Sequence, residues 1–101
     1  MNGQYLTKEL FAEEQPLVFV EKIKGYLDNN STYIGGNSYF IDNGIISGVL
    51  ILEEESKVTQ KGIETNIVIG VTARKSNLDA LVNELKTRFS QLKIKDSEKP
   101  I

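Results

Sequence analysis

Between Ile63 and Ala73 the chain alternates without a break. Ile63, Thr65, Ile67, Ile69, Val71 and Ala73 fall on one side, and Glu64, Asn66, Val68, Gly70 and Thr72 on the other. A period of two is that of a β-strand with one buried face. That face needs a cover, and the chain carries two candidates. From Pro16 to Asp28, Phe19, Val20, Ile23, Tyr26 and Leu27 recur at helical spacing, with Glu21, Lys22, Lys24 and Asp28 opposite. Leu78, Leu81, Val82, Leu85, Phe89 and Leu92 form a second helical stripe, opened by Ser76 and Asp79 at the spacing of a capping box.

Between these helices lie the remaining strand signals. Thr32-Tyr33-Ile34 and Tyr39-Phe40-Ile41 flank Gly35-Gly36-Asn37, which reads as a bulge or turn inside a long hairpin. Asp42-Asn43-Gly44 is a hairpin signal. Ile45 to Glu53 is the next strand, and its Val49-Leu50-Ile51-Leu52 run suits a central strand covered on both faces. Glu54 to Gly62 reads as a polar, mobile connection. The fold class expected is α+β: helix, three-stranded antiparallel meander, helix, in a two-layer sandwich. Residues 1–95 form one domain and 96–101 a flexible tail. Thr7 to Glu14 reads as a short extra helix or turn, and Lys93-Ile94-Lys95 as an edge strand.

Composition narrows the chemistry. The 101 residues include no His, Cys or Trp. Triads built on His, thiolate nucleophiles and Cys/His zinc sites are therefore excluded. Metal binding would be confined to oxygen ligands, and Glu53-Glu54-Glu55 with Asp42 is the one acidic grouping. Contiguous strand residues point to alternate faces, so a solvated strand end answered by Lys57 and Lys61 is the favoured reading. No metal, cofactor or small-molecule substrate is implied, and no enzyme is expected. Apolar runs of four residues at most argue against a membrane span, and no signal-peptide core is visible, so cytoplasm is the expected location. The two overlapping sequons at Asn29 and Asn30 read as a helix-ending loop.

The net charge of −2 conceals an asymmetry: residues 1–55 carry −6 and residues 56–101 carry +4. If the fold keeps the halves apart, the molecule is a dipole suited to head-to-tail contact; if paired strands interleave them, the field cancels. With both helices on one sheet face, the other face leaves Val68, part of the 49–52 run and some of Tyr33, Tyr39 and Phe40 incompletely covered. Residues 5–14 are the alternative cover.

Helix, three strands, helix resembles the double-stranded-RNA-binding domain, whose second helix begins with a phosphate-gripping lysine cluster. Here that stretch is Arg74-Lys75-Ser76-Asn77-Leu78-Asp79, two cations followed by an acid, which does not favour nucleic acid. Over residues 16–92 the same order is similar to that of phage tail-terminator and neck proteins. That resemblance implies a ring-forming subunit in virion assembly, with a strand pair reaching a neighbour. The expected function is thus a non-enzymatic protein–protein interaction or assembly module whose partner includes itself. Tyr33, Tyr39 and Phe40 are its aromatic anchors, and Glu53, Glu54, Glu55, Lys57 and Lys61 its charged tip. The rival is a small acidic regulator, inhibitor, immunity protein or chaperone that binds through residues 42–55.

Overall fold

A computed structural model describes the backbone of residues 4–12, 15–42, 44 and 46–100, with side chains as far as Lys95. The described residues form two helices and one six-stranded antiparallel sheet, in the order β1 (Tyr5–Ala12), α1 (Pro16–Asn30), β2 (Thr32–Gly35), β3 (Ser38–Asp42), β4 (Ser47–Thr59), β5 (Gly62–Arg74), α2 (Lys75–Arg88) and β6 (Leu92–Pro100). Across the sheet the strands run β2-β3-β4-β5-β1-β6.

The expected mixed α+β class stands, but the sheet is twice as wide as the three-stranded meander read from the sequence. The added strands are β1, the division of one segment into β2 and β3, and β6, and β4 is longer than expected. Residues 5–12 are a strand and not a short helix; Glu13 and Glu14 lie outside the described residues. Leu6, Leu10 and Phe11 have helix-like spacing, yet Leu6 faces Ala73 and Leu10 faces Ile69 in a ladder with β5. Pairing on both edges overrides the weak local preference, since β1 gains ladder partners on β5 and on β6. Gly35-Gly36-Asn37 reverses the chain, so the segment read as one strand becomes two, with Tyr33 opposite Tyr39. Finally, the stretch from Glu54 to Gly62 is no loose connection. β4 continues to Thr59 and pairs with β5 residue by residue, from Val49↔Thr72 to Thr59↔Gly62. The C-terminal edge strand likewise extends through Pro100 rather than ending at Lys95, with the tail residue Ile101 outside the described residues.

Both helices lie on one face. Leu10 and Ala12 of β1, Leu50 of β4, and Ile67, Ile69, Val71 and Ala73 of β5 meet Phe19, Ile23, Tyr26 and Leu27 of α1 and Leu78, Leu81, Val82 and Leu85 of α2 in a single buried cluster. Helix α1 follows the expected stripe. Gly25 has open space where a Cβ would stand, and Ser31 ends the helix by donating its hydroxyl to the Leu27 carbonyl at 2.6 Å. Helix α2 starts two residues earlier than the capping box proposed: Arg74 is the N-cap, without a side-chain cap bond, and Lys75 pairs with Asp79 at 3.5 Å. At Gly48 the helix comes close to the sheet, because a Cβ there would stand 2.5 Å from Leu81 Cδ1 and 3.0 Å from the Thr72 carbonyl.

The other face carries no helix. Thr7, Phe11, Phe40, Val49, Ile51, Val68 and Thr72 share it by register, and the Thr7 and Thr72 hydroxyls bond across β1 and β5 at 2.8 Å. Residues 5–12 do not cover this face; they are part of the sheet. Val68 is nonetheless only 3 % exposed, flanked by Phe11 and Glu53 on the neighbouring strands.

Candidate functional site

Two features stand out beyond the core. The first is the far end of the β4–β5 hairpin. Thirteen residues at about 3.3 Å each make a strand of roughly 43 Å, comparable with the 47 Å long axis of the molecule. From Glu53 to Val58 and from Gly62 to Glu64 every residue is exposed, so this arm has solvent on both faces. Ser56 and Thr65 bond across it at 2.9 Å, and Lys57 reaches Glu64 at 3.9 Å. Its end is ordered by Thr59, whose hydroxyl donates to the Gly62 carbonyl at 3.2 Å and accepts from the Lys61 amide at 3.2 Å. Gly62 takes φ +121°, a conformation side chains rarely adopt. Directly behind the turn, Val58 and Ile63 face each other across the strands. They are 85 % and 74 % exposed, a bare apolar pair in an otherwise polar arm.

The second feature is a groove of about 720 Å³ between α1 and the β2–β3–β4 side of the sheet. Its floor is Tyr39, Leu52 and Ile67, its helix wall includes Val20, Lys24 and Asp28, and Tyr33, Gly36 and Asn37 close one end. Helix α1 packs toward β5 and β3, and the groove lies between it and Tyr33, Tyr39 and Leu52. The two tyrosine rings stand 5.4 Å apart at 56°. The Tyr33 hydroxyl donates to the Gly36 carbonyl at 2.6 Å, which holds the ring in place at the groove end. Glu53 and Glu54 border the opening.

The expected site residues therefore separate. Tyr33, Tyr39 and Glu54 come together around the groove, on the face that carries the helices, whereas strand parity sends the Glu53 side chain to the helix-free face beside Val68. Phe40 is not with them: one residue along β3 it points to the helix-free face, opposite Val49. Glu55 pairs with Lys95 of β6 at 2.6 Å, Lys57 pairs with Glu64, and Lys61 sits at the turn. The charged set is thus spread along a strand and is not gathered at one tip. Sequence reading missed the helix wall of Lys24 and Asp28, as well as the Val58–Ile63 pair. For that pair the signal was present, because Glu54-Ser56-Val58 continues the alternation of Leu50 and Leu52.

The charge asymmetry does not survive as two separate halves. β1, from the acidic half, is inserted between β5 and β6 of the basic half, and the Glu55–Lys95 pair joins the two. Tyr26 is the one described group whose titration is clearly displaced. Burial raises its pKa, the nearby Glu84 carboxylate raises it further, and Arg88 opposes. Among the described residues no group of three or more acidic side chains is placed to hold a metal ion, and no helix is long and apolar enough to cross a membrane. Comparison with protein-family models, curated proteins and solved structures returned no match.

Proposed function

We propose that this protein is a self-associating, non-enzymatic assembly subunit and that its β4–β5 arm is the contact element. The observation that carries this reading is the Val58–Ile63 pair. Isolated apolar residues on a surface need no explanation, but a cross-strand pair on a two-sided arm lacks any internal packing role. Contact with another surface would remove roughly 1.5–3 kcal/mol worth of apolar exposure per side chain from water. The arm is also held rigid by cross-strand pairs and by the Thr59 bonds, which lowers the entropy lost on docking.

Light scattering over a concentration series tests this reading. The expected result is a mass that rises with concentration for the natural chain and stays monomeric for the Val58→Ser, Ile63→Ser double variant. A natural chain that is monomeric at every concentration and ionic strength would overturn it.

A further inference from the structure

We infer that the occupant of the α1–β3 groove is the arm tip of a second copy of this chain. The inference rests on the self-association reading and adds the receptor to it. The two surfaces are complementary in apolar character and in the charge at the turn. The groove floor is apolar and aromatic, from Tyr39, Leu52 and Ile67, and the tip offers Val58 and Ile63. The groove edge carries Asp28 and Glu54 against the cation Lys24. The tip carries Lys61 at its turn, while Lys57 behind it is paired with Glu64 at 3.9 Å. Lysine over a tyrosine pair gains from the ring quadrupole as well as from the carboxylates. The volume of about 720 Å³ is at the scale of a cleft that takes several side chains, and a two-stranded tip needs no more.

Arm and groove are different patches of one surface, so the contact is heterologous. Each copy gives one arm and accepts one, which generates a closed ring or an open filament and not a two-fold dimer. This also gives the acidic groove border a role that the overall charge split does not supply. The complementarity is local, between the β2–β3–α1 corner and the hairpin end.

The test uses charge exchange and cross-linking. Lys61→Glu should weaken association at least tenfold, and so should Glu54→Lys with Asp28→Lys; mixing the two variants should restore it. Circular dichroism and melting of each variant control for folding, because all three positions are exposed. The chain has no cysteine, so single Lys61→Cys and Asp28→Cys variants give an unambiguous second readout. Oxidising a mixture should yield the mixed disulfide in preference to either homodimer. Association that persists in Lys61→Glu, with no preference for the mixed cross-link, would overturn the groove as receptor while leaving self-association intact. A natural chain monomeric throughout would overturn both.

Discussion

The ammonium of Lys95 lies 2.6 Å from the Glu55 carboxylate, forty residues away in sequence. β6 and β4 are separated in the sheet by β5 and β1. In a flat sheet the two residues would stand three strand spacings apart, roughly 14 Å, with a further ~10 Å along the strands. Their contact means that the sheet twists and curls toward its helix-free side.

The ion pair itself contributes little, because both side chains are partly in water. Glu55→Gln should lower stability by under ~1 kcal/mol in dilute buffer. The difference should shrink toward zero in about 1 M salt, where screening acts over about 3 Å. Denaturant titration at the two salt levels measures it, and an equal loss at both would show that the contribution is not electrostatic.

Gly48 is where α2 and the sheet come closest. Gly48→Ala should cost about 1–3 kcal/mol, as overpacking in a filled core does. Because the nearest obstacle is Leu81 Cδ1, Leu81→Ala in the Gly48→Ala background should cost clearly less than in the natural chain. A strictly additive double variant would place the strain in the Thr72 backbone instead.

Tyr26 links stability to high pH. Its hydroxyl donates to Glu84 at 3.4 Å, Arg88 stands 5.3 Å from its ring, and burial raises its pKa. With the folded-state value above the unfolded value of about 10, the folded chain holds the proton more tightly. The associated stability is complete below pH ~10 and is lost as pH rises from there through the raised value. Tyr26→Phe should remove this part of the decline, and parallel melting curves of the two proteins above pH 10 would refute the assignment.

Gly62→Ala should strain the arm turn by about 1 kcal/mol or more, since φ +121° suits glycine alone. Hydrogen exchange is the sensitive measure: amides from Val58 to Glu64 should exchange faster while those of Ile69 and Leu85 stay protected.

How far the fold was legible follows from where its determinants lie. The alternation of Ile67, Ile69 and Val71 and the stripes of Phe19-Ile23-Leu27 and Leu78-Leu81-Leu85 are local signals and formed their elements, but the second stripe was read too far: α2 ends at Arg88 and Leu92 opens β6. β1 was not legible, because Lys8 occupies an inward position and breaks the alternation of Leu6, Leu10 and Ala12. Its strand state comes from partners more than fifty residues away. The β4 half of the distal arm was obscured for a different reason: with no cover on either face, Glu53 to Lys57 are all polar and look like a loop. Of the site, Tyr33 and Tyr39 were found as aromatics, but the chain reversal at Gly36 decides that they meet, and strand parity sends Phe40 to the other side. Lys24 and Asp28 looked like a solvated helix face, which gives no hint that a sheet edge stands across from them.

The placement of β1 has a consequence for the order of events during synthesis. Both of its neighbours, β5 and β6, emerge from the ribosome after it, with Thr7 waiting for Thr72 on one side and Phe11 for Lys93 on the other. The first strand made is thus among the last placed. Until β5 is available, Leu6, Leu10 and Phe11 stay unpaired, and the sheet cannot be completed on the nascent chain one hairpin at a time.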